Sequence, residues 1–159
     1  MADQEEPASW QLLEFLKRRV QLIQGAGFRT QIGAGVIILD DTEVPDDPTV
    51  AATIIEAGDA SATGGSGVHV KSDVDVTIEY SIPRGQGTKN PKLQAHRARA
   101  DLMKVLIVKS RDLPQFISTL SIVSASLGST ADQETGVSYV IAQVTVRAGL
   151  VDITPPANS

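Results

Sequence analysis

Residues 68–82, VHVKSDVDVTIEYSI, decide the fold. Val68, Val70, Val74, Val76, Ile78, Tyr80 and Ile82 fall on one side of a period-two alternation. His69, Lys71, Asp73, Asp75, Thr77, Glu79 and Ser81 fall on the other, and only Ser72 interrupts the apolar side. Successive side chains of a strand point to opposite faces, so this pattern specifies a strand with one face on a core and one towards water or a partner. At about 3.3 Å per residue the run would extend roughly 50 Å, well beyond an ordinary strand. It must bend near Ser72 or carry its first half away from the body.

Outward from this stretch, the chain of 159 residues fits one domain, large enough to bury a core without metal or disulfide support. The expected organisation is one domain over 1–159 with flexible ends at 1–8 and 152–159. Cysteine is absent, which excludes a disulfide framework, a thiolate metal site and a cysteine nucleophile. The acidic start MADQEEPASW lacks the basic region and apolar core of a signal peptide. The longest apolar runs, 36–39 and 105–108, are too short to cross a bilayer. A soluble, cytosolically made protein without membrane contact is expected. The net charge of -5 argues against general nucleic-acid binding and conceals a split. Residues 1–80 hold five Lys or Arg against fourteen Asp or Glu, or -9; residues 81–159 hold nine against five, or +4. Such a split is either a mixed solvated surface or the basis for identical subunits meeting acidic side to basic side in a ring.

Upstream of the long strand, SWQLLEFLKRRVQLIQ reads as an amphipathic helix, with Ser9 as N-cap and Leu12, Leu13, Leu16, Val20 and Ile23 on one face. Trp10 and Phe15 widen that face, and Gly25 and Gly27 end the helix. Residues 28–39, FRTQIGAGVIIL, read as one or two short strands, with VIIL a buried one. DDTEVPDDP then places five acids and two prolines in nine residues, a solvated loop whose acids lack the calcium-loop spacing. A strand follows at 49–57. Residues 58–67, GDASATGGSG, read as a flexible loop and mobile tip that joins this strand to the long one as an antiparallel hairpin.

Downstream, PRGQGTKNP is a turn, and Asn90 or Thr88 caps a helix opening at Pro91. Ala95, Ala98, Leu102, Val105 and Leu106 form its buried face, expected across the long strand, with Arg97, Asp101 and Lys104 opposite. Residues 113–123 read as a helical turn followed by a connection or short strand, and 128–136 as a polar loop. VSYVIAQVTVRA, 137–148, repeats the period-two pattern and makes a last strand, a good neighbour for the long one. The order of elements gives an α+β domain: a mostly antiparallel sheet with amphipathic helices on one face and a long projecting β-hairpin.

Catalytic motifs do not emerge. The glycine pairs lack the dinucleotide and phosphate-loop spacings, and Ser66 lacks a nucleophile-elbow context. His69 and His96, the two histidines, read as surface residues. Asp73, Asp75 and Glu79 share one strand face and could bind a metal or act as acid and base; equally, they could be charges that keep a solvent-facing strand from sticking. No catalytic residue, cofactor or metal ligand is assigned.

The leading helix, GFRTQIG, the acidic proline-containing loop, the β-rich middle, the helix LQAHRARADLMKVL and the closing YVIAQVTVRAGLV together resemble the tail terminator, or tail completion, proteins of long-tailed bacteriophages. The resemblance covers nearly the whole chain and rests on element order. It implies a non-enzymatic virion protein, assembled in the host cytoplasm into a homohexameric ring. Such a ring caps the tail tube, ends its polymerisation and presents the head-joining surface. The implied partners are further copies of the chain, the tail tube protein and head–tail connector or neck proteins, with DNA only passing through the lumen. A head-completion protein on the portal side is the alternative, and a small metal-dependent enzyme using the acids of 68–82 a more distant one. For a ring, Arg84, Lys89, Arg97, Arg99 and Lys104 would face Asp40, Asp41, Asp46 and Asp47, or the acidic strand face, of the next subunit. Gly64, Gly65 and Ser66, at the hairpin tip, would line the lumen or grip the tube end.

Overall fold

The computed structural model describes residues 6–39, 52–66, 69–85, 88–131, 133–134 and 136–153. The long alternating stretch forms one strand, β3 (His69–Pro83). Its apolar side reaches the core from Val74 onward, with Val74, Val76, Ile78 and Ile82 buried, while Val70 is 47% exposed. β3 occupies the centre of a five-stranded sheet ordered β1-β2-β3-β5-β4, with β1 (Val36–Leu39), β2 (Ala52–Ser66), β4 (Ile117–Ala131) and β5 (Ser138–Ile153). All neighbours are antiparallel except β1 and β2. The hairpin of β2 and β3 does not leave the sheet alone, because β5 pairs with β3 along its whole length, from His69↔Ile153 to Pro83↔Tyr139.

Two strands overrun segments whose composition reads as loop. β2 continues through the glycine-rich stretch, pairing Ala60 with Val74 and Ser66 with His69. Register shifts between Ala57 and Ala60 and between Ala62 and Gly64 absorb the broken alternation. A strand beside a long partner needs only backbone groups to pair, and small residues oppose this weakly. β4 likewise runs from Ile117 to Ala131 across Gly128, so the connection expected there and the first four residues of the polar loop, 128–131, join one long strand against β5, while Gln133 and Glu134 form the turn. In the opposite direction, FRTQ makes no strand; a 3₁₀ turn at Ile32–Ala34 precedes β1.

Helix α1 (Ala8–Gln21) buries Leu12, Phe15, Leu16 and Val20. Its N-cap is Pro7, with no side-chain cap, and Ser9 lies inside the helix. The Ala8 N–H instead donates to Asp152 Oδ2 of β5 at 3.3 Å, so an acceptor distant in sequence does the work expected of Ser9. After the helix, the Gly33 N–H donates to Ile23 O at 2.7 Å, and a Cβ at Gly33 would come within 2.3 Å of Gln21 O. Only glycine lets the chain pass that close to the helix end.

Helix α2 (Pro91–Leu106) starts as its sequence indicates: Asn90 is the N-cap, its side chain accepting from Leu93 N–H at 3.1 Å. Ala95, Ala98, Leu102, Val105 and Leu106 are buried. The helix lies mainly over β5, and also reaches β4 and β3, rather than sitting squarely on the long strand. The two alanines permit its close approach. α1, α2 and the apolar side of the sheet make one contiguous core, joining Leu12, Leu16 and Val20 to Val76, Ile78, Val144 and Val146. Burying each such side chain stabilises the fold by about 1.5–3 kcal/mol.

Candidate functional site

The cations singled out by the sequence lie on and before α2. Arg84 and Lys89 are exposed in the segment leading into the helix, and Arg97 is exposed on it. Among the described residues none of these three side chains has an ion-pair partner. Arg99 is half-buried and reaches His96 Nδ1 at 3.4 Å. Lys104 is engaged within the chain: its Nζ donates to Gly27 O at 2.5 Å and sits 4.8 Å from the centre of the Phe28 ring. That contact ties α2 to the turn after α1 by a hydrogen bond and a cation–π interaction.

At the start of α2 the surface is concave. Arg84, Lys92, Leu127, Gly128, Ser129 and Val140 line an open cavity of about 230 Å³. Two cations over an apolar and hydroxyl floor suit an anionic side chain. Lys92, four residues before His96 in a helix already read as basic, belongs with Arg84 through the end of β4. Sequence spacing does not show this, because 127–129 and 84–92 meet only when β4 folds back beside β5.

The acidic partners divide differently. Asp40, Asp41, Asp46 and Asp47 lie outside the described residues. Gly64 and Gly65 pair with Lys71 and Val70, and Ser66 with His69, so these three belong to a strand end and not to a loop. The acids of β3 face β5 in register. Asp75 is opposite Arg147, whose Nε and Nη2 donate to the two carboxylate oxygens at 2.8 and 3.0 Å. Hydrogen bonding to the Arg147 guanidinium, aided by its charge against a smaller opposing effect of burial, holds the Asp75 carboxyl below its ordinary value. Glu79 accepts from Gln143 Nε2 at 2.7 Å, and the Thr77 and Thr145 hydroxyls lie 2.9 Å apart. The polar face of the long strand is therefore a cross-strand ladder. Two of its carboxylates, Asp75 and Glu79, are engaged by Arg147 and Gln143 of β5. Among the described residues no group of three or more His, Asp or Glu is placed to hold a metal ion.

One acid has a role that its sequence position conceals. Asp101, expected on the outer face of α2 with Arg97 and Lys104, is 2% exposed. It lies three residues after Ala98 and four before Val105, at the margin of the buried stripe. Its oxygens accept from Arg29 N–H at 3.1 and 3.0 Å, from Thr30 N–H at 2.7 Å and from the Thr30 hydroxyl at 2.7 Å. Asp101 thus pins the turn between α1 and β1 to α2.

The architecture is that of an α+β protein, two helices on one face of a five-stranded mixed sheet. No family model matches the chain, and no curated protein matches it. Among solved structures it is similar to a chain described as "Virion of native gene transfer agent (GTA) particle". The two are 17% identical, with a TM-score of 0.47, over 81% of this chain and 89% of that one. Among the described residues no helix is long and apolar enough to cross a membrane.

Proposed function

We propose that the chain is a structural, non-enzymatic virion protein that assembles as a hexameric ring, caps a phage tail tube, ends its polymerisation and offers the surface that joins the head. The observation that carries this reading is the one-sided surface around α2. Arg84, Lys89, Lys92 and Arg97 are exposed without ion-pair partners among the described residues, while the acidic run DDTEVPDD lies elsewhere in the chain. Identical copies that meet head to tail can satisfy both sets at once, and such contacts close into rings. The resemblance of the element order to tail terminator proteins supports the same reading.

Exposed ion pairs each contribute only about 0–1 kcal/mol, so apolar or backbone contacts must hold the ring and the charges select its register. In this reading Asp40, Asp41, Asp46 and Asp47 meet the cations of the next copy, and the strand end with Gly64, Gly65 and Ser66 faces the lumen or the tube. Lys104 and Arg99 contribute less, being engaged within their own helix and its neighbouring turn.

Electron microscopy of the purified protein, alone and mixed with tail tubes, tests this. Rings seated on tube ends are the expected result. Rings that bind portal complexes and ignore tubes would move the protein to the head side, and a single copy that binds neither would end the proposal. The double variant Arg97→Glu/Arg99→Glu should lose capping, and raised salt should weaken ring formation.

A further inference from the structure

The last eight residues of β4, 124–131, SASLGSTA, form an outer edge of the sheet. Half of an edge strand's N–H and C=O groups point away from its neighbour, and natural sheets guard them with charges, prolines, bulges or a covering element. β4 carries no charged residue and no proline in Ile117–Ala131. Its register shifts lie between Ile117 and Thr119 and between Ile122 and Ser124, which leaves 124–131 regularly paired to β5. Ser124, Ser126, Gly128, Ser129, Thr130 and Ala131 are exposed, so no described element covers this stretch. On the helix side of the same strand end, Leu127 and Ser129 line the cavity of about 230 Å³ with Arg84 and Lys92. Arg84 is anchored there by its backbone N–H, which donates to Ser138 O of β5 at 2.8 Å, and Lys92 by the first turn of α2. Among the described residues neither side chain has an ion-pair partner.

We infer that residues 124–131 are a docking edge for an extended acidic segment of another protein, which adds as a strand beside β4 and presents one carboxylate to Arg84 and Lys92. Residues opposite one another on adjacent strands share a face of the sheet. A side chain of the added strand opposite Leu127 or Ser129 therefore stands on the side that bears the cavity. The segment so recognised alternates: an acid with apolar residues two positions away, and polar residues between them beside Ser126, Gly128 and Thr130. Main-chain hydrogen bonds supply the affinity and the two cations supply the choice of segment. The acidic run of this chain, DDTEVPDDP, makes a poor strand, because Pro45 and Pro48 remove an N–H from each of its sides. β4 of a second copy is a poor occupant too, since it offers no acid and brings its own Arg84 and Lys92 to the same junction. The inference goes beyond the ring reading and does not depend on it: Lys89 and Arg97 lie outside the cavity and are left to contacts between copies.

Fluorescence polarisation of the intact protein with a labelled, end-blocked heptapeptide, TVTETVT, tests this. Saturable binding is expected. It should weaken about tenfold for the peptide TVTQTVT, and by as much for Arg84→Ala/Lys92→Ala once circular dichroism confirms that the variant folds. The peptide TPPETVT, whose adjacent prolines remove an N–H from each side of the strand, should not bind. Hydrogen exchange should slow at amides within 124–131 when TVTETVT is added. Equal binding of the glutamine peptide would remove the acid from recognition, and equal binding of the proline peptide would remove strand addition; either overturns the inference, as does no binding at millimolar peptide. Tighter binding of DDTEVPDDP would give the site to the acidic run of another copy instead. Amides of 124–131 protected in the protein alone, and released on dilution, would give the edge to β4 of a second copy. Sedimentation of the same samples reads ring formation separately, so failure of one reading leaves the other standing.

Discussion

Asp101 shows how a single residue can be misread from its helix position and still dominate its surroundings. It is an acid in a helix rich in cations, yet its carboxylate satisfies two backbone N–H groups of the turn at Arg29 and Thr30. Removing the acceptor leaves two part-buried donors without their charged partner, so Asp101→Ala should cost about 2 kcal/mol in urea unfolding, and Asp101→Asn less. Thr53 is the opposite case. It is fully buried, and its hydroxyl has no hydrogen-bond partner among the described residues. Thr53→Val keeps the shape and removes the unpaired group, so it should raise stability by about 1 kcal/mol, read as a higher melting temperature. Asp75 carries the pH dependence. Its folded pKa is depressed by Arg147. The associated stability is therefore present above the unfolded value of about 3.9 and is lost as pH falls through the folded one. In Arg147→Met, the Asp75 carboxyl followed by NMR should titrate at higher pH than in the wild type; an unchanged midpoint would mean the bidentate contact does not form in solution.

Elements whose residues carry their own instructions are placed where the sequence puts them. α2 is the clearest: Asn90 and Pro91 set its start, and five apolar positions set its buried face. Asn90 has φ 49°, a left-handed conformation that asparagine tolerates, and its side chain caps Leu93 N–H. Asn90→Ala should therefore cost about 1 kcal/mol or more, while Asn90→Gly, which keeps the backbone permissive, should cost only a few tenths. Thermal unfolding of the two variants separates cap from conformation. β3 and β5 are equally legible, because the alternation survives along most of each. β2 and β4 are not, since the glycine, serine and alanine in them signal turn chemistry. Their strand character comes from long neighbours that offer backbone partners.

At the scale of the whole molecule, the sheet order β1-β2-β3-β5-β4 brings His69 beside Ile153, so the central pairing waits on closure of a long stretch that includes α2 and β4. Pairings so distant in sequence slow folding, and refolding after denaturant dilution should take on the order of milliseconds to seconds. Stopped-flow refolding complete within microseconds would contradict a sheet assembled from such pairings. The same topology creates the surface argued to matter for assembly: it leaves β4 at an edge and brings its end to Arg84 and Lys92.

From the sequence alone came the α+β class, the central strand, the faces of both helices and the excess of cations around α2. Each follows from local periodicity or composition. The tertiary structure decided the rest. It extended β2 and β4 through turn-like composition, turned Asp101 inward and engaged Asp75 and Glu79 with β5. It also placed an uncharged strand at the sheet edge beside two cations. All of these depend on which segment lies alongside, from the next strand of a hairpin to β5 or the turn after α1, and such pairing has no signature in local composition.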